Sequence, residues 1–275
     1  MNWSKVKSVM IVFLILVNLS LLSYIVYEEV RVNKQNSQMA QTTASLLKSR
    51  HIIVDEKMIA DCSKSEKVQS VYVDNIISNY FEFAKKVLGD SSAQISQNSY
   101  KSELGTIDFM GDIFKAKATD NKYLYEKNIT TQDAEKIITQ YLNSLGINTE
   151  KTRVKLTEEN GMYELVYTKK INSLPVFQTY ITIKADNSGI NSIYGNWYNI
   201  NSQNSSVIEL KSISGVLVEY MNKKSDLNTD IQINGISLGY SALNPDVYHE
   251  SVFLTPVWKI SDSTGDYYID ARENS

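Results

Sequence analysis

The chain has 275 residues, 43% of them hydrophobic and 21% charged, with a net charge of −3. That balance excludes a disordered polymer and a polycationic nucleic-acid binder, and the length is enough for one or two compact domains with their own cores. A single cysteine, Cys62, excludes an internal disulfide; the thiol reads as a small buried hydrophobe, with an intermolecular bridge as the alternative.

Residues 1–7 form a short tail carrying Lys5 and Lys7, and residues 8–27 are an uncharged run containing Val9, Ile11, Phe13, Leu14, Ile15, Leu16, Leu21, Leu22 and Ile25. At about 1.5 Å of rise per residue such a run just crosses a hydrocarbon core of roughly 30 Å, so a transmembrane helix is expected over 8–27. The exit, Ser23-Tyr24-Ile25-Val26-Tyr27-Glu28-Glu29, places bulky residues where a signal peptidase needs small ones, which predicts a retained anchor. Lys5 and Lys7 before the run nearly balance Arg31 and Lys34 after it; the shortness of the tail favours a cytoplasmic N-terminus and an extracytoplasmic body. Three polar residues interrupt the run. Asn18 lies near mid-membrane, where an amide invites a partner helix or a local water, and Ser20 and Ser23 add weaker sites. Asn18 and Ser20 lie about 200° apart on a helix, so they would face different neighbours.

Residues 28–50 are polar, with Met39, Ala40, Leu46 and Leu47 as sparse apolar points, and read as a juxtamembrane helix or stalk. An α+β region follows over 51–120. Residues 52–54 read as a strand, and 70–88 as a strand turning into a helix that closes on Gly89. Two strands over 92–99 and 105–116 are expected to pair as a hairpin.

From 121 to 204 the pattern is a helix followed by antiparallel strands. Thr130-Thr131-Gln132-Asp133 caps a stripe of Ala134, Ile137, Ile138, Tyr141, Leu142 and Leu145, and Gly146 stops it. Strands are expected over 152–157, 162–170, 176–185 and 190–198, with turns at Asn160-Gly161 and Asn187-Ser188-Gly189. The pattern recurs over 205–275: Ser206-Val207-Ile208-Glu209 matches a capping box ahead of Leu210, Ile213, Leu217, Tyr220 and Met221, and strands follow over 230–240, 252–260 and 266–271. The fold class is therefore α+β, an N-terminal transmembrane helix followed by helices packed on antiparallel sheets.

Nothing in the sequence points to catalysis. The two histidines, His51 and His249, belong to no metalloprotease helix, nucleophile elbow or phosphate loop, and Glu158-Glu159 flanks a turn as a solvated tip. No catalytic residue, metal or cofactor is expected, and no nucleic-acid partner.

The C-terminal segment carries more. Pro256 lacks a donor and should sit at a strand start or edge, Trp258 should project from one strand face, and Gly239 beside Tyr240 marks a bulge or tight strand exit. A ligand pocket around Tyr240 and Trp258 is the functional alternative to core packing. The set Ile236-Ser237-Leu238-Gly239-Tyr240, then Leu254-Thr255-Pro256-Val257-Trp258-Lys259-Ile260, then Gly265-Asp266-Tyr267-Tyr268-Ile269-Asp270-Ala271 resembles the closing segment of the YycI family. The opening Met1-Asn2-Trp3-Ser4-Lys5, followed directly by the apolar run, resembles that family's start. These are membrane-anchored regulators of the WalK (YycG) sensor histidine kinase, related to the YycH proteins. The resemblance implies YycH/YycI-like extracytoplasmic α+β domains and partnership with a WalK-type kinase and a YycH-like protein, and it strengthens the reading of Asn18, Ser20 and Ser23 as contacts between membrane helices; a homo- or hetero-dimer is a further expectation. It marks Gly239, Tyr240, Leu254, Thr255, Pro256 and Trp258 as structural family positions. The competing reading is a tethered binding or inhibitory module for a cell-wall ligand or a protease, in which the anchor serves only as a tether.

Overall fold

The computed structural model describes residues 3–63, 68–118, 131–150, 152–159, 161–186, 189–224, 229–242 and 249–273. Thr130, Asn160, Asn187 and Ser188, which the sequence places in a helix cap and two turns, lie outside the described residues. In chain order the elements are α1 (Trp3–Lys48), β1 (Ile52–Ile53), α2 (Glu56–Cys62), β2 (Val68–Asn75), α3 (Tyr80–Leu88), β3 (Ala93–Ser96), β4 (Ser99–Ser102), β5 (Gly105–Met110), β6 (Ile113–Ala118), α4 (Thr131–Ser144), β7 (Thr152–Glu159), β8 (Met162–Ile171), β9 (Leu174–Asp186), β10 (Gly189–Gly195), β11 (Tyr198–Ile208), α5 (Ile213–Lys223), β12 (Ile231–Ser241), β13 (Ser251–Asp262) and β14 (Gly265–Asp270). The α+β class expected from the sequence holds, with a long apolar N-terminal helix ahead of mixed but mainly antiparallel strands.

These elements gather into two compact units. The first takes the described residues within Met1–Glu66, Lys211–Ser237 and Lys259–Ile269; the second takes those within Lys67–Leu210, Leu238–Trp258 and Asp270–Ser275.

In the first unit α1 is one helix of 46 residues, because neither glycine nor proline interrupts residues 3–48. The expected membrane helix and stalk are thus a single element. Its last turns bury Ala40, Thr43, Ala44 and Leu47, a stripe at helical spacing whose two alanines let α2 and α5 approach closely. The Thr43 hydroxyl lies 2.9 Å from Ser214 Oγ on α5. Helix α2 starts at Asp55, whose carboxylate accepts from the Lys57 amide at 2.8 Å, and β1 runs parallel to β12 through Ile52 opposite Ile231. Helix α5 starts later than expected, because Val207 and Ile208 are β-branched and extend β11 against Gln69 and Val68 of β2. Ser212 supplies the actual cap, accepting from the Gly215 amide at 3.2 Å.

In the second unit the strands β7, β8, β9, β10, β6, β5, β4 and β3 pair in that spatial order, each antiparallel to its neighbour. Helices α3 and α4 pack on this sheet around Phe83, Val87, Phe114, Ile138, Leu142, Leu165 and Ile183. The α4 stripe is buried at Ala134, Ile138, Tyr141, Leu142 and Leu145, while Ile137 is only half-buried. The expected hairpin over 92–116 is instead four strands. Gln97-Asn98 and Gly111-Asp112 each make an extra turn, and the glycine–aspartate step is a hairpin signal that a continuous β5–β6 reading passes over. The expected strand over 190–198 likewise breaks at Gly195 (φ 144°), where a Cβ would stand 1.9 Å from the Tyr180 carbonyl oxygen. Beyond it Tyr198 opens β11, which pairs with β2, and β2 pairs on its other side with the Ser251–Leu254 stretch of β13.

Candidate functional site

The first region of functional interest is the N-terminal part of α1. Every large apolar side chain from Val9 to Tyr27 is exposed, so none of this surface is covered by the body, and the helix is long and apolar enough to cross a membrane. Exposed Trp3 stands near its start and Tyr24 and Tyr27 near the far end of the run, where amphipathic rings suit the two headgroup levels. Asn18 turns one amide N–H back to the Leu14 carbonyl at 2.8 Å, and the Ser23 hydroxyl donates to the Leu19 carbonyl at 2.8 Å. Back-bonding uses one of the two Asn18 donors and leaves its carbonyl free, so the amide keeps capacity for a neighbour. Ser20 is exposed on another side of the helix.

The closing-strand residues gather in the second unit. Gly239 lies inside β12, where a Cβ would stand 2.5 Å from both the Pro175 carbonyl oxygen and the Phe177 ring; the parallel pairing of Tyr240 with Val176 brings β9 that close. Tyr240 is fully buried and donates its hydroxyl proton to the Gln69 carbonyl at 2.9 Å. Leu254 is buried opposite Val71 of β2, and Thr255 and Trp258 are buried beyond it. With both rings enclosed, neither Tyr240 nor Trp258 offers a face to a ligand. Pro256 is in the interior of β13, not at its start or edge. It lies beyond the stretch of β13 that pairs with β2, which ends at Leu254, and its carbonyl accepts from the Ala271 amide at 2.9 Å.

Four buried charged groups, Asp112, Lys169, Lys224 and Asp262, went unnoticed in the sequence. Asp112, with no exposure, accepts from Asn75 Nδ2 at 2.6 Å, the Tyr198 hydroxyl at 2.6 Å and the His249 amide at 3.0 Å. Burial pushes its carboxyl up from the ordinary range, against the opposing pull of Tyr198 and those other donors. Lys169 occupies a core-facing position of β8, in step with Tyr163, Leu165, Tyr167 and Ile171, and its Nζ lies 5.1 Å from the centre of the Trp197 ring. Burial lowers this ammonium to about 8. The alternation Tyr-Leu-Tyr-Lys-Ile was the available signal. In the first unit Asp262 meets Lys224 Nζ at 3.1 Å, the Thr264 amide at 2.6 Å and the Tyr220 hydroxyl.

Elsewhere, His51 Nδ1 lies 2.9 Å from Asp230 on the surface, and Glu158 and Glu159 are exposed at the end of β7. Cys62 is half-buried, 3.8 Å from the Ile236 carbonyl, and burial followed by the Asp61 charge pushes its thiol up to about 11, which suppresses thiolate chemistry. Among the described residues no group of three or more His, Cys, Asp or Glu side chains converges as a metal site.

No protein-family model and no curated protein matches the chain. Among solved structures it is similar to an uncharacterized protein from Eubacterium rectale (TM-score 0.47, 16% identity, 76% of this chain and 85% of that one). It is also similar to YycH from Bacillus subtilis (TM-score 0.43, 16% identity, 73% of this chain), spanning 52% of that protein, about half its length. The Bacillus megaterium YpeB C-terminal domain matches at a TM-score of 0.31 and 10% identity over 70% of this chain and 92% of that domain.

Proposed function

We propose that this chain is a non-enzymatic, membrane-anchored regulator of a sensor histidine kinase of the WalK (YycG) type, acting together with a YycH-like protein. Its short tail lies in the cytoplasm and its body outside. The observation that carries this reading is the continuity of α1: the helix that offers Asn18 and Ser23 to the bilayer is the same one that buries Ala40, Thr43, Ala44 and Leu47. A kinase helix that binds Asn18 differently in its two signalling states has no hinge between itself and the α2 and α5 contacts. The YycI-like segments at both ends of the chain support the choice of kinase and partner. We read the role as non-enzymatic because His51, His249 and Glu158-Glu159 belong to no catalytic motif in the sequence.

The test is co-purification from detergent-solubilised membranes. A hydrogen bond between membrane helices is worth about 0.6–2 kcal/mol, so Asn18→Leu should weaken association with the kinase or YycH-like partner about three- to thirtyfold, whereas Val12→Leu should not. Equal recovery of partner with both variants removes Asn18 from the coupling. Absence of either partner with the unaltered chain overturns the regulatory reading in favour of a tethered binding module. The anchor itself is checked separately: the mature chain should keep Met1 or Asn2 and resist a carbonate wash, and a soluble form starting near residue 28 would refute it.

A further inference from the structure

Between the start of α3 and the β3–β4 hairpin, within the second unit, lies a cavity of about 480 Å³ lined by Ser78, Asn79, Tyr80, Gln97, Asn98 and Tyr100. The volume falls in the range of small-molecule sites. Every lining residue is neutral, two are aromatic and three are carboxamides.

The aromatic platform is fixed in advance. Tyr80 stacks on Phe109 at 4.4 Å with 6° between the planes, and its hydroxyl donates to the Gly111 carbonyl at 3.0 Å. Tyr100 is only 5% exposed, held edge-on to Phe109 at 6.0 Å and 5.9 Å from Phe81. Tyr100 lines the cavity, and no hydrogen bond from its hydroxyl to a described residue is present. A phenol nine-tenths buried among rings and lining a cavity can take its hydrogen bond from what occupies that cavity.

The polar lining then narrows the occupant. Helix α3 offers an anion nothing: Asn79 Oδ1 accepts the Phe81 and Glu82 amides at 2.8 and 3.2 Å, and the Asn79 carbonyl accepts the Phe83 amide at 3.0 Å. Among the described residues no basic or acidic side chain lines the walls, so a charged ligand would meet no counter-charge from them. A wholly apolar ligand would strand the Gln97 and Asn98 amides and the Tyr100 hydroxyl. What remains is a neutral molecule with an apolar face for Tyr80 and both donors and acceptors around its rim. We infer that this cavity binds a neutral saccharide, with a sugar C–H face against Tyr80, and sugar hydroxyls bonded to Asn98, Gln97 and the Tyr100 hydroxyl. The assignment holds whether or not the chain regulates a kinase.

The test uses the full chain in lipid nanodiscs, because sugar-headed detergents would compete. Saturation-transfer NMR with N,N′-diacetylchitobiose and with cellobiose at millimolar concentration should show transfer to ring protons. Tyr100→Phe keeps the ring packing and removes one hydrogen bond, so it should weaken binding about two- to tenfold; Asn98→Ala, at an exposed hairpin tip, should do the same. Gln38→Ala, on α1, should change nothing. The inference is overturned if neither saccharide shows transfer, if both cavity variants bind like the unaltered chain, or if tetra-alanine in place of the saccharides gives the transfer that those variants lose.

Discussion

In the first unit a buried carboxylate faces a buried ammonium: Asp262 and Lys224, with side chains 0% and 6% exposed, stand 3.1 Å apart, and Thr264 and Tyr220 fill the remaining lone pairs. In the second, the charged groups are buried apart from any such partner. Among the described residues Lys169 has only the Trp197 ring, and Asp112 has neutral donors and the attraction of His249. The direction of each proton equilibrium follows. Burial pushes Asp262 up, but hydrogen bonds from Tyr220, Thr264 and Lys224 outweigh it and hold the carboxyl well below its ordinary range; for Asp112 burial prevails and the carboxyl is raised. A buried charge is a constraint where its complement is built in and a liability where it is not.

The largest test adds a liability to the second unit. Ile138 is fully buried on α4, so Ile138→Asp loses its packing and inserts a carboxylate with no cation; denaturant unfolding should show a loss of about 4–6 kcal/mol. Unfolding like that of the unaltered chain would mean α4 is not packed as described. Next, Lys224→Met leaves Asp262 uncompensated and should cost about 3–5 kcal/mol. Trp197 and Trp258 both lie in the second unit, so circular dichroism rather than tryptophan fluorescence is the suitable probe.

Lys169→Met should go the other way. A thioether of similar length beside Trp197 removes an unpaired buried charge and should gain about 1–3 kcal/mol, a sign opposite to that of Lys224→Met. The same contrast is visible without mutation. Lys169 is lowered from 10.5 to about 8, so above pH 8 the unfolded chain holds a proton that the folded chain has released, and stability should rise with pH. That rise should be readable to about pH 9, where the Cys62 thiol, raised from 9.0 to about 11, begins to oppose it, followed by buried tyrosines such as Tyr167, raised from 10.0 to about 12. Lys169→Met should abolish the rise and leave only the opposing fall. In acid, the Asp262 contribution is present above its ordinary value of 3.8 and is lost as the pH falls below it, whereas raised Asp112 favours the folded state as it gains its proton. Urea midpoints measured across both pH ranges check each sign.

Much of this architecture was legible because it rests on local pattern. The apolar run of α1, the Tyr80–Leu88 helix closing on Gly89, the α4 stripe and the three C-terminal strands all follow from spacing and turn residues. The Gly111-Asp112 turn was a local signal passed over, but the start of α5 and the place of Pro256 were decided by non-local pairing. Val207 and Ile208 could end a loop or continue a strand, and the choice belongs to β2, some 140 residues earlier by register with Val68 and Gln69. Pro256 reads as an edge residue until Ala271 is known to meet its carbonyl. The saccharide cavity was the least visible feature. Its residues are unremarkable in sequence, and the hairpin that closes it had been merged into a single longer strand.

The unbroken α1 has a last consequence, which is angular. From Tyr27 to Ala40 the chain supplies thirteen helical steps with neither glycine nor proline to absorb torsion. At about 100° and 1.5 Å per residue, the azimuth at which Asn18 points into the bilayer is locked to the azimuth at which Ala40, Thr43 and Leu47 meet α2 and α5. A turn of the span about its own axis is therefore delivered as torque on that seam. Adding or removing one residue anywhere in the stretch misphases the two ends by about 100°, whereas a change of seven residues leaves them within about 20°. Such a helix reports the bearing of its membrane neighbour as well as its presence.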